Sequence, residues 1–226
     1  MTACRLCMEA GYEITPPAIF RGTAAAKVLL IGQAPGVTEV EARRPFNASS
    51  GRRLFQWLGE AGWDEDAFRA RHYMTAVTKC YPGKGKSGKN AVSKGDRVPS
   101  KAEQKLCRPF LEREIALVNP RLMILVGGLA IKLLFPAKAK LTEVIGTAVY
   151  FPPHTLTNPV NFNLKDGQWL RSPLSSPLSF LLEDGRFIVP LPHPSGASLW
   201  PNKPANQALI AQAVTILAAI RERLQL

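Results

Sequence analysis

Apolar residues in this chain fall in short blocks, and the blocks alternate with stretches of helical spacing. "KVLLIG", residues 27 to 32, has the make-up of a buried strand and stops at a glycine. Ser50 to Ala61 follows with Leu54, Leu58 and Ala61 on one helical face, and Ser49 or Ser50 is available as its cap. A second strand is expected over His72 to Thr78 and an amphipathic helix over Lys101 to Val118. A third strand, Arg121 to Val126, ends at Gly127-Gly128; a helix from Gly128 to Phe135 comes next, and a fourth strand spans Phe187 to Leu191. Leu209, Ala213, Ile216, Ile220 and Leu224 draw one stripe along a last helix, Lys203 to Arg223. Strands alternating with helices predict an α/β fold with a central, mostly parallel sheet and helices on both faces. In such folds a ligand sits at the carboxyl ends of the strands.

Two stretches break this rhythm. "GKGKSGKNAVSKGDRVPS", residues 83 to 100, sets Lys84, Lys86, Lys89, Lys94 and Arg97 among small residues and predicts a mobile basic loop. Residues 150 to 186, rich in Pro, Ser and Asn, are too long for an ordinary connection and predict a structured insertion over the core. No internal repeat is present. The 226 residues, 46% of them hydrophobic, suffice for one domain spanning 1–226 with a substantial core.

Charge narrows the partner. A formal net charge of +12 and a pI near 9.9 predict attraction to polyanions, with nucleic acid the leading class; a generally basic, solvated surface is the alternative. The first residues carry no apolar stretch of a secretory signal, and the longest apolar run, Leu122 to Ile131, is too short to cross a bilayer. A cytoplasmic protein without membrane attachment is expected. In that reducing compartment the four cysteines, Cys4, Cys7, Cys80 and Cys107, point to metal ligation or ordinary burial before disulfides. Two residues between Cys4 and Cys7 let both thiolates share one metal centre, and by count alone four thiolates suit zinc or an iron-sulfur cluster equally.

Read together, the segments resemble the uracil-DNA glycosylase superfamily, in particular its iron-sulfur families 4 and 5. "GQAPGVTEVEARRPF", beginning at Gly32, is similar to the family 4 stretch that begins GEAPG and ends PF, with the same distance from the first glycine to the phenylalanine. "YMTAVTKCYP" resembles the strand carrying the third cluster cysteine, "CRPFLEREIALVNPRLMILVGGLA" the helix and strand around the fourth, and "LPHPS" the histidine motif. The resemblance implies a three-layer α-β-α sandwich around a four-stranded sheet. It implies a [4Fe-4S] cluster on Cys4, Cys7, Cys80 and Cys107, whose role is chiefly to clip the N-terminus and the long loop to the core. The partner implied is uracil-containing DNA, single- or double-stranded, bound by a monomer.

Such an enzyme must flip its target nucleotide out of the stack. Gly32 and Gly36 then allow a tight turn that brings backbone N–H groups of Gly32, Gln33 and Ala34 to the base, while Pro35 stiffens it. By resemblance Phe46 is the face on which uracil stacks, and His193 donates the hydrogen bond that stabilises charge developing on the departing uracil. Ser49, Ser50 and Gly51 would grip the DNA backbone from a helix N-terminus, against the plainer role of capping. Ser195 to Trp200 corresponds to the loop that enters the DNA groove, with Leu199 or Trp200 as the wedge. The lysines and arginine of residues 83 to 97 would add salt-dependent contacts.

Two departures stand out. Family 4 has a glutamate where this chain has Gln33, and a neutral amide orients water or bonds the base but does not polarise water as a carboxylate does. Family 4 also reads uracil with an asparagine where this chain has Ala76; family 5 shares the alanine and places an asparagine beyond the cysteine, for which Asn90 is the candidate, with Asn163 or Asn158 as substitutes. The expected function is a monofunctional glycosylase that releases uracil and leaves an abasic site. The alternative is a DNA-binding module of the same fold, with the cluster but without catalysis. Electron-transfer and zinc-ribbon proteins are further alternatives; the latter would be colourless.

Overall fold

The computed structural model of the protein describes residues 1–87, 91–152, 164–171, 185–196 and 198–226. In chain order its elements are α1 (Leu6–Glu9), β1 (Val28–Gly32), α2 (Val37–Ala42), α3 (Ser49–Glu60), α4 (Glu65–Arg71), β2 (Tyr73–Ala76), β3 (Lys84–Ser87), β4 (Ala91–Asp96) and α5 (Lys101–Val118). Then follow β5 (Leu122–Val126), α6 (Gly128–Ile131), α7 (Leu141–Val144), β6 (Thr147–Phe151), β7 (Gln168–Arg171), β8 (Arg186–Leu191) and α8 (Pro204–Leu224).

The four strands expected from sequence form one parallel block, ordered β2-β1-β5-β8. The sheet has six strands, however, not four. β6 pairs antiparallel with β8, and β7 pairs antiparallel with β6 at the edge. β7 comes from the stretch expected to lie over the core as an insertion, and β6 runs into its start. β6, "TAVYF", is buried at every position and belongs inside the sheet, whereas β7 is largely exposed, as an edge strand allows.

Helices flank this sheet. α8 buries Ile210, Ala213, Val214, Ile216, Leu217 and Ile220, and α3 buries Leu54, Phe55, Trp57 and Leu58 in the same core. α5 starts and stops where its termini dictate. The Ser100 hydroxyl accepts from the Glu103 N–H at 3.3 Å, the Glu103 carboxylate accepts from the Ser100 N–H at 2.7 Å, and Asn119 turns left-handed at the other end. No helix among the described residues is long and apolar enough to cross a membrane.

Three local expectations change. The first residue of α3 is Ser49, so Ala48 holds the cap position and makes no side-chain cap bond; neither serine caps the helix. The helix at residue 128 ends as an α-helix at Ile131 and continues to Phe135 only as turns. Within the basic stretch, β3 pairs antiparallel with β4 where a loop was expected; Lys89 lies outside the described residues. Asp96 anchors the base of this pair by accepting from Lys84 Nζ at 2.7 Å and from the Tyr81 hydroxyl at 3.1 Å.

Register decides where chemistry can gather. Gly32 lies opposite Ala76, and Val126 lies opposite Leu191, so four parallel strands end side by side. The segments that follow them, 33–46, 77–82, 127–128 and 192–196, therefore meet at one end of the sheet.

Candidate active site

A cavity of about 460 Å³, including its open mouth, lies at this end of the sheet. Its walls bring together Gly32, Gln33, Ala34, Phe46, Ser50 and His193 of the residues expected from sequence, with Pro35, Glu39, Thr75, Ala76 and Val126 around them.

Phe46 sits against Gly32. A methyl group on Gly32 would come within 2.8 Å of Phe46 Cζ, so glycine gives the tip of the ring room at the strand end. Behind the ring, Gly51 allows the Phe46 carbonyl to approach the first turn of α3, where any Cβ would collide with it. Phe46 itself has φ of 53°, in the left-handed region that non-glycine residues rarely enter. Its N–H donates to the Glu39 carboxylate, which also accepts from the Gly36 N–H. Burial pushes the Glu39 carboxyl above its ordinary range, opposed by the N–H groups of Gly36, Phe46 and Asn47.

His193 follows β8 and packs on Gly127, whose positive φ of 87° turns the chain after β5. A Cβ there would stand 3.0 Å from His193 Cδ2. The Ser195 N–H donates to His193 Nδ1 at 3.2 Å, and the Ser195 hydroxyl lies 2.9 Å from the same nitrogen. A nitrogen that accepts an N–H is unprotonated, so the neutral ring carries its proton on Nε2. Burial lowers the pKa of His193 and reinforces the neutral form.

The four cysteines line a second cavity, together with Thr78, Lys79, Glu103 and the apolar side chains of Leu6, Ile14, Ala18 and Phe110. α1 presents Cys7, the turn after β2 presents Cys80, and α5 presents Cys107. Burial, reinforced by neighbouring cysteine sulfurs, pushes the Cys7 thiol up to about 11 and Cys80 up to about 12. The N–H of Lys79 bonds to the Cys107 sulfur. Four sulfurs lining one largely apolar cavity suit a positively charged inorganic group, which would stabilise their thiolates. Among the described residues no three His, Cys, Asp or Glu side chains converge closely enough to hold one metal ion.

The two cavities share a wall. Lys79, 2% exposed, donates to the Ala76 carbonyl at 2.6 Å and pairs with Glu114 of α5 at 2.7 Å. Glu114 also accepts from the hydroxyls of Tyr73 at 3.1 Å and Thr75 at 3.1 and 3.2 Å. Thr75 and Ala76 line the first cavity, and Lys79 lines the second. Sequence reasoning missed Glu39, Gly127 and this buried pair. The spacing of Glu39 from the glycine turn was a visible signal, whereas nothing in the sequence distinguishes Lys79 from a surface lysine.

Other expected residues fall outside the pocket or outside what is described. Ser49 and Gly51 open α3 beside it, Ser195 supports His193, and Leu199 is 74% exposed on the loop after it. Asn90, Asn158 and Asn163 lie outside the described residues.

A family model described as "Uracil DNA glycosylase superfamily" matches residues 20–218. A type-4 uracil-DNA glycosylase of Pyrobaculum aerophilum is 30% identical over 119 residues, 53% of this chain and 53% of that protein. Proteins of the same description from Sulfurisphaera tokodaii and Thermotoga maritima are each 27% identical, over 61% and 66% of this chain and 64% and 68% of their own lengths. The chain thus spans about half to two thirds of these relatives.

Proposed function

We propose that this chain, which belongs to the uracil DNA glycosylase superfamily, hydrolyses the N-glycosidic bond of deoxyuridine flipped out of DNA and leaves an abasic site. The observation that carries this reading is one cavity lined by the Phe46 ring, the Gln33 amide and a neutral His193. An extruded pyrimidine stacks on Phe46, a type of contact worth about 1–3 kcal/mol. As the bond breaks, negative charge grows on the uracil oxygen. The His193 Nε2–H is a donor available to that oxygen, and it is worth more in the transition state than in the ground state. The uncharged ring also gives a donor without first attracting the anion as an imidazolium would.

Gln33 supplies an amide that hydrogen-bonds the base or positions water. An oxocarbenium-like sugar needs little base catalysis, so orientation suffices. Ser49, Ser50 and Gly51 offer the N–H groups of the first turn of α3 to a DNA phosphate. Exposed Leu199 is the residue to enter the space the base vacates. The hairpin residues Lys84 and Arg97 add to the positive field, although each is also paired, with Asp96 and Glu103.

Cys4, Cys7, Cys80 and Cys107 would hold a [4Fe-4S] cluster, which when bound supplies a structural cross-link between α1, the turn after β2 and α5. Four thiolates around one cavity suit zinc or a cluster by count, and the resemblance to the iron-sulfur families supports the cluster. Nothing in the pocket favours a catalytically silent DNA-binding module.

The test is base release from oligonucleotides carrying uracil opposite guanine, uracil in a single strand, hypoxanthine or no lesion, followed by alkali cleavage. Wild type should release uracil, and His193→Ala should lose about 100-fold or more in rate while its thermal melt is unchanged, the scale of one lost transition-state donor. No release from any substrate would overturn the proposal.

A further inference from the structure

Phe46 is held in its left-handed conformation from both sides of its peptide. Its N–H goes to Glu39, and its carbonyl goes to Arg69 of α4, a helix the hydrophobic pattern did not announce. The Arg69 guanidinium is 6% exposed. Nη2 donates to the Phe46 carbonyl and Nη1 to the Pro45 carbonyl, both at 2.8 Å, while Nε donates to Glu65 at 2.8 Å. Arg69 Cζ lies over the Phe55 ring, 4.2 Å from its centroid, a contact that helps hold the fork on the two carbonyls. Two successive carbonyls held by one planar fork fix both position and direction of the chain at Phe46, which a point-like ammonium cannot do.

From this geometry we propose that Arg69 is a positioning residue for base recognition. By holding the carbonyls of Pro45 and Phe46 it sets the plane of the Phe46 ring against Gly32, and so the slot into which the base slides. The inference rests on the function proposed above. It predicts that removing Arg69 acts only through Phe46 and only when a base is present.

The experiment measures binding of two oligonucleotides, one with 2′-fluoro-deoxyuridine, which resists cleavage, and one with a tetrahydrofuran abasic analogue at the same position. Wild type, Arg69→Met, Arg69→Lys, Phe46→Ala and the double variant Arg69→Met/Phe46→Ala are compared, each with a thermal melt. Wild type should bind the fluorouridine strand more tightly than the abasic strand. Arg69→Met should weaken the fluorouridine strand about tenfold, the scale of one base-aromatic stack, and leave the abasic strand unchanged. The double variant should be no weaker than Phe46→Ala, since Arg69 has nothing left to position. Arg69→Lys should fall between wild type and Arg69→Met, and because it keeps the buried charge it carries the same comparison if Arg69→Met does not fold. Full preference for the fluorouridine strand in Arg69→Met, equal loss on both strands, or losses that multiply in the double variant would each overturn the positioning role. Wild type that does not distinguish the strands would instead overturn the proposed function, and the positioning role with it.

Discussion

Replacing Gly32 by alanine adds one methyl group at the back of the Phe46 ring. The new Cβ would stand 2.8 Å from Cζ and 3.2 Å from Cε1, where ordinary carbon contacts are about 3.5–4.0 Å. The ring must therefore move by roughly 0.7 Å or more at its tip. Its backbone cannot follow, because the peptide is tied to Glu39 and Arg69 and its carbonyl is packed on Gly51. The movement falls on the side-chain torsions and carries the ring into the slot. Overpacking of this kind costs about 1–3 kcal/mol. Gly32 has no positive φ, so alanine fits its backbone, and the strain appears in the pocket rather than in the sheet. If the whole cost is felt when the base enters, base release slows about 5- to 150-fold. The assay is single-turnover release from a uracil-containing strand, with KM measured separately and a circular dichroism melt as the control. A rate within twofold of wild type would refute the contact between Gly32, the ring and the base.

Removing the Glu114 carboxylate by alanine leaves Lys79 as an unpaired buried cation and deprives the Tyr73 and Thr75 hydroxyls of their acceptor. The expected loss is about 3–5 kcal/mol in denaturant titration, and a loss under about 1 kcal/mol would mean that the pair is not a buried one. Serine 195 supports His193 twice, so Ser195→Ala removes the hydroxyl but keeps the N–H; base release should drop about 2- to 10-fold, and no change would discount the hydroxyl. His72 is 5% exposed, its Nδ1 has no partner among the described residues, and burial, helped by Arg71, lowers its pKa to about 4. The unfolded chain then binds the extra proton first, so stability is full above about pH 6.5 and falls by about 2–3 kcal/mol on going down to pH 4.5. His72→Phe, which keeps a ring edge-on to Phe68, should flatten that slope in urea titrations, and parallel pH profiles would rule the linkage out.

The parts of the fold that sequence made legible are those governed by local chemistry. α5 begins at Lys101 because Ser100 and Glu103 form a reciprocal cap, and both residues are visible in the chain. The four parallel strands are apolar runs with glycine, cysteine or proline close behind. What stayed hidden depends on distant partners. β6 is a strand because β8 offers it an edge, and β7 is a mostly exposed strand whose backbone pairs with β6. The hairpin of β3 and β4 is lysine- and glycine-rich, with no alternation to mark it. Arg69 reads as a surface arginine, and its burial makes sense only once two backbone carbonyls and a phenylalanine ring are placed around it.

The same distinction decides the role of the two polar residues in the opening motif. A chain whose motif lacks an acid at position 33 invites the suggestion that Glu39, six residues on and in the same cavity wall, takes its place. The geometry argues otherwise. One oxygen of Glu39 holds the N–H of Phe46 and the other holds the N–H of Gly36, so the carboxylate is occupied in fixing the loop and the stacking ring. Taking a proton from water would neutralise the carboxylate, weaken both accepted bonds and so loosen the slot it maintains. Gln33 lines the same cavity with no side-chain hydrogen bond to another described residue, which leaves its amide available to the ligand. The division of labour in this pocket is therefore a carboxylate that shapes the site and an amide that, under the proposed function, would meet the base.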